Sequence, residues 1–340
     1  MHKCVVMFSG GLDSVVAVHL LKEQGLDVTA LHFVLPFYSG LGRTDWQVKK
    51  YAEKLGVTLR IEEEGEEFLE MIKDPSFGFG KNANPCVDCR IHRLMKAKKI
   101  MEEEGAVCLA TGEVAGQRPM SQRMDCLHKV ERLAGLKGKL LRPLCAKLLP
   151  PTDAENAGII DRSRLLEISG RSRKMQLEYA KAHGLSHATP AGGCLLTNIE
   201  TGVRFNDLSQ YDPQFTLADF KLIAFGRHFR SSSQYRTIVS RSESENEMLE
   251  KLYTPEMHMF SLQDIPGPLA IGAGDPTESE LLFSASTVVR FSKVRNETNV
   301  KVVVEKAGQK RIVETGAALD EELDRCRISS ANAQKSASLG

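Results

Sequence analysis

A six-residue string near the N-terminus, Ser9–Ser14 (SGGLDS), constrains the fold more than any other feature of this sequence. It follows an apolar run, Cys4–Phe8, and precedes a helical pattern that extends from Ser14 to Gln24. Glycines let the backbone adopt a positive φ and pass close to an anion. Because the free amides of such a turn converge with the positive end of the next helix, the string predicts a phosphate-binding loop.

The polar side chains of this loop are suited to phosphate and magnesium. Ser9 and Ser14 offer hydroxyl donors to phosphate oxygens. Asp13 would repel a phosphate unless a divalent cation lay between them, so we expect Mg2+ at this carboxylate. A simple glycine turn between strand and helix is the alternative interpretation. The string lacks the lysine of a GxxxxGK(S/T) loop, which disfavours an enzyme that transfers a γ-phosphate.

The complete string resembles the SGGxDS pyrophosphate loop of the PP-loop ATPases. That resemblance implies a HUP domain, like that of the adenine nucleotide alpha hydrolases, in which ATP is cleaved between its α and β phosphates to adenylate a carbonyl oxygen. It also implies that backbone groups of about Ala30 to Phe33 contact adenine. The residues expected to bind ATP are Ser9, Gly10, Gly11, Asp13, Ser14, Thr111 and Gly112.

Alternating strand and helix patterns predict the fold of the first domain. The elements expected after the first helix are strands at 28–34, 58–62 and 106–112 and helices at 45–55 and 87–104. Such alternation is typical of α/β proteins with a parallel sheet and crossover helices. From about Phe205, β-like stretches that include 220–231 and 280–293 surround one helix at 243–252, so a second, smaller α+β domain is expected.

These patterns lead to a division of the chain into domains. We predict a first domain at 1–204, whose segment 161–204 folds back onto the sheet and carries Cys194. A second domain is predicted at 205–328. The small polar residues at 329–340 are expected to form a flexible tail.

Composition limits the class of protein. Hydrophobic residues make up 42% and charged residues 26%, which is ordinary for a folded globular protein. The net charge of +1 argues neither for nor against a nucleic-acid partner. No apolar stretch approaches the roughly 20 residues that cross a bilayer, so we expect no membrane association and a cytoplasmic location. Eight scattered cysteines are then expected to be thiols or metal ligands rather than a disulfide framework.

Three of the cysteines have a spacing that suggests chemistry. Cys86 and Cys89 form a CxxC pair at the start of a predicted helix, where helix amides and the nearby Arg90 favour the thiolate. Zinc, iron–sulfur and thiol–disulfide sites all use such a pair. Cys194 follows two glycines in the string AGGC, which suggests that its sulfur is delivered to a site.

The cysteines extend the resemblance to the PP-loop tRNA thiolation enzymes, the tRNA 2-thiouridylases and 4-thiouridine synthetases. In one group of them a persulfide forms on one cysteine and is resolved by another, which implies this role for Cys89 and Cys194. In members with a PCxxC motif, as at Pro85, three thiolates hold a [4Fe-4S] cluster with one open iron that binds hydrosulfide. That case implies Cys86, Cys89 and Cys194 as ligands. Zinc with His92 or another fourth ligand remains an alternative.

Further polar segments fit or depart from this family. The string TGE at 111–113 lies after a strand, where open parallel sheets bind ligands, but Glu113 stands where the family usually has His or Asn. Basic segments at 90–99 and 171–176 are candidates for phosphate contacts with RNA, or solvated helix faces. The β-rich C-terminal part, with several arginines, resembles the RNA-associated NFACT-R module.

These features predict an ATP-dependent tRNA sulfurtransferase that makes 2-thiouridine or 4-thiouridine, with Asp13, Cys89 and Cys194 as catalytic residues. The expected cofactors are ATP, Mg2+ and a [4Fe-4S] cluster. The expected partners are tRNA and a sulfur donor, either sulfide or a persulfide carrier, and a homodimer is allowed. Two alternatives stay open: a PP-loop enzyme that adenylates a small carboxylate or amide, and a metal-containing RNA-binding protein without turnover.

Overall fold

The computed structural model describes residues 1–38, 43–80, 82–118, 121–189 and 194–337. The chain forms two compact units. The first consists of Met1–Phe79 and Pro85–Gly193, and the second consists of Gly80–Asn84 and Cys194–Gly340. Cys194 and the five residues before Pro85 therefore fall in the second unit. The domain boundaries expected from the sequence, 1–204 and 205–328, stay predictions.

The first unit is built on a parallel sheet of five strands. Its strands are β1 (Lys3–Met7), β2 (Asp27–Val34), β3 (Thr58–Glu63), β4 (Cys108–Thr111) and β5 (Leu140–Leu141). They lie in the order β3-β2-β1-β4-β5, and every neighbouring pair is parallel. Because the order reverses at β1, the carboxyl ends of β1 and β4 form the topological switch point, next to which such sheets bind ligands. The predicted α/β fold is confirmed.

Helices cover both faces of this sheet. They are α1 (Leu12–Lys22), α2 (Arg43–Leu55), α3 (Glu66–Lys73), α4 (Cys86–Glu103), α5 (Met124–Leu133), α6 (Asp153–Asn156) and α7 (Lys174–Ala182). Successive residues of β1 point to opposite faces. Cys4 and Val6 pack in the core that includes α1, whereas Val5 packs in the core that includes Leu94 and Ala97 of α4. The central strands β1 and β4 are therefore buried on both sides, whereas the edge strand β3, which carries Arg60, Glu62 and Glu63, has no buried residue.

The second unit contains an antiparallel sheet of six strands. They are β6 (Arg227–Ser232), β7 (Tyr235–Val239), β8 (His258–Leu262), β9 (Ala270–Gly274), β10 (Val300–Lys306) and β11 (Gln309–Thr315), in the order β11-β10-β8-β9-β7-β6. Its helices are α8 (Ile199–Tyr211), α9 (Leu217–Leu222), α10 (Glu243–Leu252), α11 (Glu278–Arg290), α12 (Asp320–Cys326) and α13 (Ser330–Ala337). A second α+β unit was predicted, and the helix α10 lies where the sequence pattern placed it.

Two secondary-structure predictions were wrong. The stretch 280–293 was predicted to be β-like but lies mostly in α11, because Leu281, Ala285 and Val288 recur with a helical period and Thr277 forms a capping box with Glu280. The stretch 220–231 begins in α9 before it enters β6. The segment at 329–340, expected to be a flexible tail, contains α13, and the Ser330 hydroxyl donates to Glu200. Its flexibility stays a prediction.

The helical material predicted between Arg162 and His183 is divided into a short 3-10 helix, Arg162–Arg164, and α7. In the described part of the chain, no helix has both the length and the apolar character needed to cross a membrane.

Candidate functional site

The SGGLDS loop connects β1 to α1 and has the geometry of an anion site. Gly10 has a φ of +71°, a conformation that favours glycine. Gly11 is the N-cap residue of α1, and no side chain caps the first amides of the helix. The Ser14 hydroxyl donates to the Gly11 carbonyl over 2.9 Å, and the Gly11 amide donates to the Ser9 hydroxyl over 3.4 Å. These bonds hold the turn while the first amides of α1 lack side-chain caps, so the turn can accept a phosphate.

Asp13 lies in the first turn of α1, and its two carboxylate oxygens differ in their hydrogen bonding. Its Oδ2 accepts a hydrogen bond from Gln117 Nε2 over 3.3 Å. Among the described residues, its buried Oδ1 has no hydrogen-bond partner. A buried carboxylate oxygen without a donor fits a divalent cation, because Mg2+ takes one or two carboxylates together with phosphates and water. The residues present therefore fit the expected magnesium ion.

Gly112 lies against the start of α1. A Cβ atom built on it would be 2.6 Å from the Asp13 carbonyl carbon and 2.7 Å from the Ser14 amide nitrogen. Thr111, the last residue of β4, is buried beside it. The predicted ATP residues of the loop and of the TG string are therefore brought together at the carboxyl ends of β1 and β4. Their roles in binding remain predictions.

A cavity of about 280 Å³ opens beside the loop, at the carboxyl ends of β1 and β2. Phe8, Ser9, Leu31, His32, Phe33 and Arg93 are among the residues that line it. The guanidinium carbon of Arg93 is 5.7 Å from the centroid of the Phe33 ring. An apolar slot with one stacked arginine is suited to a planar base. It lies where adenine was predicted, although Ala30 itself does not line it.

The CxxC pair lies on the first turn of α4. Cys86 is exposed and Cys89 is half-buried. Between them, Asp88 is buried and its carboxylate accepts the backbone amide of Phe77 over 3.2 Å. Asp88 thus anchors the preceding loop to the turn that carries both sulfurs.

Cys194 is half-buried and immediately precedes a 3-10 helix, Leu195–Thr197. Its carbonyl accepts the amide and the hydroxyl of Thr197, over 2.8 and 2.6 Å. In the same unit, Asn82 Nδ2 donates to the Thr197 carbonyl over 2.7 Å, and the Ala83 amide donates to the Leu196 carbonyl over 3.3 Å. The two glycines before Cys194 lie outside the described residues.

No group of three or more His, Cys, Asp or Glu side chains within the described ranges is arranged to hold a metal ion. None of the eight cysteines forms a disulfide. The meeting of Cys86, Cys89 and Cys194 therefore stays a prediction. His92, named as a fourth zinc ligand, instead places Nε2 3.0 Å from the Glu64 carboxylate.

Glu113, which departs from the family pattern, is the centre of a buried ion-pair network. Its carboxylate lies 2.8 Å from Arg90 Nε and 3.0 Å from Arg142 Nε. Arg142 also contacts Glu131 over 2.8 Å and donates to the Leu127 carbonyl. Burial alone would raise the pKa of Glu113, but the two guanidinium groups outweigh it, so its pKa lies below the ordinary value. Glu113 thereby holds Arg90, the residue that follows Cys89.

A second buried carboxylate, Glu64, holds the basic face of α4. It lies 3.0 Å from His92 Nε2 and from Lys96 Nζ, and 3.5 Å from Arg93 Nε. Burial raises the pKa of Glu64, and the hydrogen bonds from His92 and Lys96 lower it by more. Much of the basic segment 90–99, predicted to contact RNA, is therefore paired inside the protein. Lys99 is exposed.

Arg142 and Glu64 were not singled out as site residues from the sequence, whereas Gln117 was expected at the carboxyl end of the strand before it, where open parallel sheets bind ligands. For Arg142 the available signal was its position directly after the buried apolar strand β5, because a charged residue there must find a partner where the strand ends. Glu64 follows β3 (TLRIEE), which has no buried residue and gives no such signal.

Two parts of the chain match known protein families. Residues 1–148 match the family described as thiamine biosynthesis protein (ThiI), and residues 226–327 match the NFACT protein RNA binding domain. Both resemblances inferred from the sequence are thereby confirmed.

Curated relatives match the N-terminal part. The tRNA-specific 2-thiouridylase MnmA of Pelobacter propionicus is 34% identical over 121 residues, which are 33% of this chain and 34% of that protein. A probable tRNA sulfurtransferase of Thermus thermophilus is 33% identical over 148 residues, 42% of this chain and 34% of that protein. The chain thus spans about a third of the length of these relatives. A solved 4-thiouridine synthetase in complex with RNA and ATP is 24% identical, with a TM-score of 0.39, over 54% of this chain and 41% of that chain.

Proposed function

We propose that this chain, with its ThiI family domain at 1–148 and its NFACT RNA-binding domain at 226–327, is an ATP-dependent tRNA uridine sulfurtransferase. The observation that carries the proposal is the packing of Gly112 against Asp13 at the point where the strand order reverses. It brings an SGGxDS loop and a TG string together in the part of the chain that matches ThiI. Relatives matched there are named as enzymes that thiolate tRNA.

The loop would bind the phosphates of ATP. The amides after Gly11 and the N-terminal end of α1 would face the anion, and Asp13 Oδ1 would be the protein ligand for Mg2+. Adenine would enter the cavity between Phe8 and Phe33. The α-phosphate would then lie near the backbone of Gly112, which packs against the first turn of α1.

The chemistry begins with the carbonyl oxygen of a uridine. This oxygen attacks the α-phosphorus of ATP, and pyrophosphate leaves. The O–AMP group is a far better leaving group than oxide, so adenylation lowers the barrier for replacing oxygen at the base carbon. Sulfide then forms the C–S bond, the C–O bond breaks, and AMP departs with the oxygen. Sulfide itself or a persulfide carrier is the proposed sulfur donor.

Cys86, Cys89 and Cys194 are proposed to act as one site. The support lies in the sequence: Pro85, Cys86 and Cys89 form the PCxxC motif that the family resemblance associates with three thiolate ligands, and Cys194 follows two glycines.

Three cysteine thiolates are soft ligands and fit a [4Fe-4S] cluster, which needs no fourth protein ligand when one iron stays open. When bound, the cluster supplies an iron that can hold sulfide. The three cysteines would hold it, Asp88 would keep the turn of the CxxC pair in place through Phe77, and Glu113 would hold Arg90 beside Cys89. Persulfide chemistry on Cys89 and Cys194 is the alternative at the same residues.

A direct assay tests the function. The protein, purified without oxygen, is incubated with Mg-ATP, sulfide and undermodified tRNA, and nucleosides are analysed by mass spectrometry together with AMP. We expect a thiouridine and tRNA-dependent AMP formation in wild type, and loss of the thiouridine in Cys89→Ser and Cys194→Ser. Cys126→Ser on α5, also half-buried, is the matched control. Absence of thiouridine in protein that binds ATP and contains its metal overturns the proposal. AMP formation driven by a small carboxylate without tRNA would identify a ligase.

The metal is tested separately. Iron, labile sulfide and a broad absorption near about 400 nm are expected in wild type and in Cys126→Ala, and should be lost in Cys86→Ala. Zinc in stoichiometric amount with no iron would rule out the cluster.

A further inference from the structure

β11 (Gln309–Thr315) is an open edge of the six-stranded sheet. It pairs with β10 along all seven residues. Among the described residues no backbone group of β11 makes a hydrogen bond beyond this ladder. An edge strand of this length presents a row of amides and carbonyls that can pair with another strand.

The opposite edge of the same sheet is covered by the chain itself. Arg327 forms an antiparallel bridge with Phe229 of β6, and the Ile328 amide donates to the His228 carbonyl over 2.9 Å. Natural proteins protect a sheet edge by covering it or by placing charged side chains on it. Among the described residues, β6 is covered by the segment at Arg327 and Ile328, whereas no segment covers β11.

The two faces of β11 differ. Val313 packs on the core that contains Leu281 of α11, and Arg311 Nη2 lies 3.0 Å from Glu278 at the start of α11. Residues alternate along a strand, so the other face carries Lys310, Ile312 and Glu314. All three are exposed, and Ile312 is 53% exposed.

The order of these three side chains makes the strand complementary to itself. If two copies pair in antiparallel fashion about Ile312, the two Ile312 side chains meet at the centre. Lys310 then stands opposite Glu314 of the second copy, and the same pair recurs on the other flank by symmetry. Directly opposed residues of unlike charge stabilise a sheet, and two-fold pairing is the usual symmetry of homodimers.

Other registers are less favourable. When two identical antiparallel strands are related by a two-fold axis, one residue lies directly opposite the same residue of the second copy. Only such registers keep equivalent side chains of the two copies on the same face of the joined sheet. Pairing about Arg311 would stack two arginines, and pairing about Val313 would place Ile312 opposite Glu314. The charges therefore select one register of self-pairing.

We propose that β11 is a dimerisation edge, at which a second copy of this chain adds its own β11 in antiparallel orientation about Ile312 and joins the two six-stranded sheets. A seven-residue edge is smaller than a standard interface, so the dimer forms in a concentration-dependent equilibrium. The inference does not depend on the proposed enzymatic function.

Sedimentation equilibrium on the 340-residue chain tests the register by charge reversal. Glu314→Lys puts lysine opposite lysine on both flanks, and Lys310→Glu puts glutamate opposite glutamate. Each variant alone should raise the dimer dissociation constant by about tenfold or more, because both attractive pairs between residues 310 and 314 of the two copies become repulsive. Glu321→Lys on α12, an exposed charge reversal in the same unit, should leave it unchanged.

Mixing the two variants gives the decisive result. In a heterodimer of Glu314→Lys with Lys310→Glu, every flanking pair is again of opposite charge, so the mixture should regain the affinity of the wild type. Misfolded chains could not regain the affinity in this way. Because Lys310 and Glu314 also pair with residues of β10, thermal unfolding of each variant is measured to check that it is folded. A protein that stays monomeric at all concentrations, a dimer unaffected by Glu314→Lys, or a mixture that does not associate would each overturn the proposal.

Discussion

A Cβ atom on Gly112 would lie 2.6 Å from the carbonyl carbon of Asp13, closer than any real Cβ approaches backbone. The turn after β4 and the first turn of α1 are therefore in direct contact, with no room for a side chain between them. Since the obstructing atoms are backbone, they cannot rotate away.

Replacement of Gly112 by alanine should displace the SGGLDS loop. We expect ATP affinity, measured by isothermal titration calorimetry, to fall at least about tenfold, and the free energy of unfolding to fall by about 1–3 kcal/mol. Gly316→Ala is the control, because a Cβ there meets backbone atoms only at 3.6 Å or more, which is ordinary van der Waals contact. Equal ATP affinity in both variants would show that Gly112 is not part of the site.

Arg93 is expected to contribute to ATP binding from the side of the base. Its guanidinium lies over the Phe33 ring in the cavity and is held there by an ion pair with Glu64. Arg93→Ala should raise the KM for ATP several-fold, since stacking and cation–π contacts are lost. The KM for tRNA should change little. Lys99→Ala on the same helix is the control, and an unchanged KM for ATP in Arg93→Ala would place the nucleotide elsewhere.

Glu113→Gln should destabilise the fold, because Arg142 is almost completely buried and would keep only Glu131 as a charged partner. Removing one member of a buried ion pair costs about 3–5 kcal/mol, so we expect a loss near the lower end of that range in urea unfolding. Glu321→Gln, an exposed carboxylate on α12, should cost little. A loss no larger than that of the control would mean that the pair adds nothing to stability.

Glu64 should make the protein sensitive to acid. Its pKa is lowered in the folded state, so the unfolded chain takes up the proton first as pH falls. The stabilisation is complete above the unfolded pKa of about 4.3 and is lost as pH falls through the folded value. In chemical denaturation, Glu64→Gln should therefore be much less stable than wild type near neutral pH, and the difference should narrow below about pH 4. A difference that is constant with pH would contradict this assignment.

The sequence was sufficient wherever the signal was local. The turn at SGGLDS, the alternation of strands and helices up to β4 and the helix that begins at Cys86 all depend on patterns within a few residues, and each lies within about two residues of its predicted place. The stretch 280–293 was misjudged because β-branched residues suggested a strand while their spacing was helical.

Contacts between distant segments needed the tertiary structure. Glu113 and Arg142 are 29 residues apart, and Gln117 reaches Asp13 across 104 residues. No local pattern specifies such partners, because they are selected by the strand order of the sheet and by the cost of burying a charge alone. Neighbouring residues in the sequence thus determine the phosphate-binding character of the SGGLDS loop. The ion pairs near the loop, such as that of Glu113 with Arg142, form only when the tertiary structure brings distant segments together.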